Sequence, residues 1–438
     1  MSARPETRTP AAPASTAAPS SRLLGGRISR WIAVILIVAV ILVFFSVAND
    51  DWFTIVNYTL IAAIAAISLN VLSGYTGQVS LGIAFFMAIG AYTAAYLGGD
   101  VPNTPLDPLG LGLPFIIWLP AAGIVAGLVG ALIGPTALRL KGFYLGIVTL
   151  SLIFIGQYIF LNARRITGGP QGRAFPVPAI GGATFDQQNS LFGFALTSGQ
   201  QYFLLILVVL LLAALFVYNV MRSRAGRAFR AVRDNETGAT IMGVNLFEAK
   251  MGSFILSSFL AGIAGALFAS YSRYIIPNYW SLALSIQFIA AIIIGGIASI
   301  WGSLLGAAFV FGLPLVIDHF SLLPVASGSG IISSGDLNAL LYGLLIVVFL
   351  LFEPGGVIGL ARRAKVLTRK FYTHKDEGGE PAEITDLPSE SGSQLDAGNS
   401  TLTKGENTYS FAHHMSTAQY SGDVAHFMIS TVVISNIS

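Results

Sequence analysis

Long stretches of this chain carry no charge at all, and that absence limits the fold more than any motif does. No Asp, Glu, Lys or Arg lies between Trp31 and Ala48, Trp52 and Gly99, Pro108 and Leu138, Gly142 and Ala163, or Gln187 and Met221. The same holds for Met251 to Ser272, Tyr274 to Ile317, and Leu337 to Phe352. A helix of roughly 17–25 apolar residues crosses the hydrocarbon core, so each stretch holds one or two spans. Only 10% of the residues are charged and 54% are hydrophobic. A soluble domain carries about a quarter charged residues and needs them to solvate its surface. The expectation is an all-α fold: a polytopic transmembrane helical bundle of about ten spans. These fall near 31–48, 53–72, 79–98, 115–137, 142–162, 201–221, 251–271, 284–299, 301–317 and 338–352.

Orientation follows from the basic residues, which accumulate in cytoplasmic loops. With the N- and C-termini both cytoplasmic, that face receives Arg139, Lys141, the cluster Arg222, Arg224, Arg227, Arg230 and Arg233, and the run Arg362 to Lys370. The opposite face receives Arg164, Arg165, Arg173 and Arg273. Residues 1–30 read as a disordered cytoplasmic segment, rich in Ala, Pro, Ser and Thr before Arg22, Arg27 and Arg30. The apolar run after it is long for a signal-peptide core and reads as a retained first helix. Residues 31–370 form the transmembrane domain, with a cytoplasmic loop at 222–250. Residues 371–438 are acidic, then Ser/Thr-rich, and read as a disordered polar tail.

Several functions are excluded by what is missing. There is no cysteine, so disulfide and thiol chemistry are out. Of the five histidines, His319 stands alone and the others lie at or beyond His374, so no metal site is expected, nor any cofactor. Basic residues sit at helix ends and form no single stripe, which argues against nucleic acid and leaves lipid as the surrounding medium. No catalytic constellation is present, and no phosphate-binding loop, so the chain does not hydrolyse ATP by the usual route. Spans nearly free of ionisable groups disfavour proton coupling; Asp318-His319 at a helix end is the nearest candidate and reads as an interfacial pair.

Four segments stand out. Small residues recur inside the spans, as in Gly123, Gly127, Gly130 and Gly134, and let helix backbones approach closely. Leu69 to Gly82 inserts Gly74, Gly77, Gln78 and Ser80 between apolar helices. That is either a broken helix on a substrate pathway or a plain turn at the membrane surface. Arg164 to Gly172, with Thr167-Gly168-Gly169, offers backbone and positive charge on the external face, as a vestibule or as a solvated connection. The segment 222–250 is the most specific. Arg227, Arg230 and Arg233 recur every third residue, Asp234 is placed to cap a following short helix, and Gly243 to stop it. A short cytoplasmic helix between two spans suits a subunit that receives force from a soluble motor; a basic juxtamembrane anchor is the plainer reading.

Taken together, these segments resemble the LivM type of permease from branched-chain amino-acid ABC importers. Leu69–Gly82 with Phe85 to Tyr92, Arg139 to Leu150, Thr167-Gly168-Gly169, Ser257 to Leu267, Ile294 to Gly306 and Phe352 to Gly356 are similar to that family's blocks, in order, over roughly 50–358. Gly226 to Gly243 resembles its ATPase-coupling loop. The resemblance implies a multi-pass subunit of a bacterial inner membrane, not itself an enzyme, that works by ATP-driven alternating access. The implied partners are a second, LivH-like permease, two cytoplasmic ATPases and an extracytoplasmic substrate-binding protein. It places Gly226, Arg227, Arg230, Arg233, Asp234, Glu236 and Gly243 in the coupling loop. Gly74, Gln78, Ser80, Thr167, Gly168 and Gly169 fall on the pathway or external face. Gly238 stands where the loop more often has alanine, which would loosen the short helix, and the tail beyond about 370 has no counterpart. Three other readings remain: a urea or short-amide importer of the same mechanism, an ATP-independent channel or secondary transporter, and a membrane scaffold.

Overall fold

The computed structural model describes residues 45, 48–99, 109–137, 143–175, 177–180, 183–185, 189–191, 194–319, 343 and 347. Among these, helices α1 (Asp50–Leu69), α2 (Ile83–Gly98), α3 (Phe115–Ala137), α4 (Phe143–Asn162), α6 (Ser198–Arg222) and α9 (Leu246–Ser272) are the long apolar ones, together with α10 (Leu282–Gly295) and α11 (Ile300–Ala307). Short helices α5 (Arg164–Thr167), α7 (Arg224–Asp234), α8 (Glu236–Ile241) and α12 (Leu313–His319) complete the set. Counting helical runs continued through π or 3₁₀ turns, 7 are long and apolar enough to cross a membrane, and α2 is a shorter apolar helix. They occupy the positions expected for the second to ninth spans. The first and last expected spans, 31–48 and 338–352, lie outside the described residues except at Phe45, Ala48, Gly343 and Val347. So do Arg139, Lys141, the segment 1–30 and the tail 371–438.

Capping side chains set the ends. Thr197 and Gln200 form a reciprocal capping box at the start of α6, and Ser281 and Ser299 cap α10 and α11. Asn245 accepts from the Phe247 and Glu248 amides and starts α9 five residues before the expected 251. This draws Lys250 into the helix. The break after α1 is longer than the sequence suggests: α1 passes into a π-helical stretch, Asn70–Tyr75, and regular helix resumes only at Ile83. At the other end of the fold α10 stops at Gly295, short of 299. The following turn holds Gly296 at φ 118° and Ala298 at φ 59°, neither compatible with a continuing helix.

Helix α9 is the core of the molecule and packs on α1, α2 and α3. Its contacts are made through small residues, as expected where no hydrophobic effect separates lipid from side chain. A methyl group at Gly90 of α2 would run into the Gly262 carbonyl of α9, and one at Gly265 into the Met87 carbonyl of α2. Gly123, Gly130 and Gly134 of α3 face Phe259, Ser258 and Met251 of α9 in the same way. Helices α10 and α11 meet through Gly295, Gly302 and Gly306. The polar, glycine-rich segment 163–200 contains α5 and short strands before α6 begins at Ser198. Arg173–Ala174 (β1) pairs antiparallel with Tyr274–Ile275 (β6), and β2 (Ala179–Ile180) with β3 (Ala183–Thr184). Strands β4 (Asn189–Leu191) and β5 (Phe194–Leu196) form a third two-stranded pair.

Candidate functional site

The basic segment after α6 folds as two short helices joined at a single residue. Gly226 is buried in the first turn of α7, where any side chain would strike the Met221 and Val220 backbone. Arg230 closes the same corner: its Nε donates to Gly226 O at 3.2 Å and its guanidinium also donates to Met221 O. Arg227 stays exposed and reaches Arg222 O at 3.4 Å. The expected cap is displaced by one position. Asp234 is the last residue of α7, and it is Asn235 whose side chain accepts from Gly238 N at 2.9 Å and starts α8. The extended backbone of Asn235, at φ −161° and ψ 110°, makes it the residue able to occupy the cap.

Gly243 ends α8 as expected. It lies at φ 82°, and the bonds Gly243 N to Thr240 O and Val244 N to Ala239 O form the paired closure of a Schellman turn. Ile241 and Met242 project from that end, 82% and 74% exposed. A groove of about 390 Å³ runs between α7 and α8, lined by Arg227, Arg230, Asp234, Asn235, Gly238 and Met242. Glu236, on the first turn of α8, pairs with Lys250 of α9 at 2.6 Å.

The helix break lies against this pair of helices. Gly77, at φ 74°, carries the stem of Arg233: a methyl there would sit 3.2 Å from Arg233 Cγ. Gln78 is buried and donates to Ser253 Oγ at 2.7 Å and to Lys250 O at 3.3 Å. Ser80 is buried and accepts from Gly82 N at 3.3 Å. Gly74 packs on the carboxamide of Asn70, which leaves no room for a side chain. Asn70 itself donates to Ser299 O at 2.9 Å and Ser303 Oγ at 2.7 Å, and accepts from Ala298 N at 2.8 Å. The structure therefore brings Gly77 and Gln78 together with Arg233 and Glu236, two groups that lie far apart in sequence.

Thr167, Gly168 and Gly169 are placed elsewhere. Thr167 is buried, with its hydroxyl donating to Phe160 O at 2.5 Å, lying 3.0 Å from Ala163 O, and accepting from Gly169 N at 3.1 Å. Gly168 and Gly169 lie at φ 76° and 66°, which shapes a tight turn. The bonding capacity of Thr167 is spent on its own loop and the last turn of α4. The turn presents Arg173, also buried, whose Nη1 donates to Ile166 O at 2.7 Å and Leu109 O at 3.2 Å. Burial holds the Arg173 guanidinium below the ordinary arginine range, opposed by the Tyr92 hydroxyl; such a group still keeps its charge at neutral pH. A cavity of about 750 Å³ opens near this end, with Tyr58, Phe268, Tyr279, Trp280, Gln287 and Phe311 in its wall.

Sequence reasoning missed Asn70 and Lys250. Asn70 stood inside the motif as one residue among fourteen, and Lys250 read as the closing charge of a basic loop. A lysine that abuts a long uncharged stretch, 14 residues after a glutamate, was the available signal.

The profile described as branched-chain amino acid transport system / permease component matches residues 52–350. The chain is 32% identical over 321 residues to the high-affinity branched-chain amino acid transport system permease protein LivM of Escherichia coli (strain K12), covering 70% of each protein. It is 30% identical over 311 residues to the permease protein BraD of Pseudomonas aeruginosa, covering 69% of this chain and 93% of BraD. Identity is 33% over 188 residues to the autoinducer 2 import system permease protein LsrC of an Enterobacter strain, covering 42% of this chain and 51% of LsrC. No solved structure matches the chain.

Proposed function

This chain belongs to the family of branched-chain amino acid transport system permease components, and from that premise we propose how it couples ATP hydrolysis to passage of the solute. It is a multi-pass permease subunit of an ABC importer of the bacterial cytoplasmic membrane. In our reading ten spans cross the bilayer, with both termini and the α7–α8 segment in the cytoplasm. A second, LivH-like permease completes the channel, two ATPase subunits supply the motor, and an extracytoplasmic binding protein delivers branched-chain amino acids. With no phosphate-binding loop in the sequence, hydrolysis is assigned to those separate subunits.

One observation carries the coupling role. Helix α8 is a single short helix closed at both ends by dedicated caps, with Ile241 and Met242 left bare at its tip. Exposed apolar side chains rimmed by charge mark a place where another protein sits. A lipid anchor would need no such rigid, doubly capped unit. The groove with Arg227, Arg230 and Asp234 offers complementary charge beside the tip. Movement of an ATPase docked there reaches α9 through Glu236 and the helix break through Arg233, which supports alternating access.

Uptake of labelled leucine, isoleucine, valine and urea, compared between a strain lacking this gene and its complemented partner, tests the reading. Branched-chain uptake should be lost, restored by complementation, and abolished by ATP depletion. Restored uptake of urea alone would move the cargo, and uptake that survives ATP depletion would overturn the mechanism.

A further inference from the structure

Three segments meet at the first turns of α9, and Lys250 takes part in both contacts made there. Its ammonium lies 2.6 Å from Glu236 of α8. Its main-chain carbonyl accepts from the Gln78 amide at 3.3 Å and from the Ser253 hydroxyl at 2.9 Å. Ser253 Oγ in turn accepts from Gln78 at 2.7 Å. The orientation of Gln78 is thereby fixed: turned over, its oxygen would face the Lys250 carbonyl, acceptor against acceptor.

The two ends of this linkage differ in strength. The Lys250 side chain is only 11% exposed, and an ammonium so enclosed cannot lose its carboxylate without stranding a charge. Glu236 and Lys250 therefore move as a unit. Gln78 is held only through its donor side, because its Oε1 is buried with no partner among the described residues. A neutral amide that uses half its bonding capacity is the contact that yields. The covalent route from α8 to α9 is the turn Met242–Asn245, whose hydrogen bonds cap each helix separately: Gly243 N and Val244 N close α8, and Asn245 starts α9.

We infer that Lys250 is a positioning residue that locks α8 to α9, so that displacement of α8 is delivered to the helix break at 76–82 and not absorbed in the turn between the two helices. The inference rests on the reading of α8 as the ATPase contact.

The test uses the complete importer in proteoliposomes, with labelled leucine uptake and ATP hydrolysis measured on the same preparation. Lys250→Met keeps the apolar stem, and Glu236→Gln removes the charge from the half-exposed side, so the second variant carries the test if the first fails to assemble. Each is expected to hydrolyse ATP while leucine carried per ATP falls about tenfold, a change within the usual range of coupling between two sites. The exchange Glu236→Lys with Lys250→Glu is expected to recover most of that ratio, which a merely structural role for either side chain would not produce. An unchanged ratio in Glu236→Gln overturns the inference, as does an exchange variant no better than the single ones. Failure of the unaltered importer to carry leucine, or uptake without ATP, would instead strike the functional reading beneath it.

Discussion

The side-chain oxygen of Asn70 accepts a hydrogen bond at 2.8 Å from the backbone N–H of Ala298, 228 positions later in the chain. Ala298 stands at φ 59°, where a Cβ is crowded by its own carbonyl, so the bond holds the α10–α11 turn in a conformation alanine disfavours. The same carboxamide donates to Ser299 O and Ser303 Oγ. One buried side chain thus ties the π-helical stretch of α1 to the start of α11.

Asn70→Ala should be the most damaging single substitution in this region. It leaves the part-buried Ala298 N–H without its acceptor, at a cost of about 1–3 kcal/mol, while the Ser299 carbonyl keeps the Ser303 N–H and hydroxyl. Ala298→Gly should have the opposite sign. Relief of the left-handed strain, about 1–2 kcal/mol, outweighs the added chain entropy of glycine, about 0.5–1 kcal/mol. Thermal unfolding of detergent-solubilised protein reads both; an Asn70→Ala variant as stable as the parent would contradict the clamp.

Gly238 within α8 and Gly243 just beyond its end should respond oppositely to alanine. At Gly238 a methyl would rest 3.5 Å from Asn235 Cγ, an ordinary contact, and helix propensity favours the exchange by about 0.8–1 kcal/mol. Nothing obstructs a methyl at Gly243 either, but its φ of 82° makes alanine there cost about 1–2 kcal/mol. Amide hydrogen exchange over 236–243 should slow in Gly238→Ala and quicken in Gly243→Ala.

Glu236→Arg should leave the protein inserted and abolish uptake. The new guanidinium would face the Lys250 ammonium where a carboxylate stood 2.6 Å away. Membrane fractionation and leucine uptake in the same cells check this together, and normal uptake would remove Glu236 from the coupling path.

Packing of α9 gives a steric prediction. Gly265→Val places its first carbon against the Met87 carbonyl, and overpacking of this kind costs about 1–3 kcal/mol or more. Gly146→Ala is the matched control, since a methyl there lies 3.7 Å from Val79 Cγ1. Only the first variant should lose the monodisperse peak in size-exclusion chromatography.

The placement of the spans was legible in the sequence because it follows from solvent alone. Twenty uncharged residues in hydrocarbon must satisfy their backbone internally, and only a helix does so within one segment. The break near Ser73–Gln78 and the stop at Gly243 were legible for a related reason: glycine and small polar residues mark where a helix cannot continue. The cap of α8 was misjudged by one residue because Asp234 and Asn235 are both competent side chains. Which of them leaves the helix depends on where α7 ends, and that is set by packing of Phe229 and Val232 into the core.

What the tertiary structure alone decided is the set of partners. Asn70 with Ala298 and Gln78 with Ser253 are contacts between segments whose sequences carry no mark of one another. The same holds for the glycines, whose spacing announces a close approach without naming the helix approached. A helix is specified by interactions along its own length, whereas a contact between helices depends on the angle and register at which both are held. That angle is fixed only when α9 has closed on α1, α2 and α3 together.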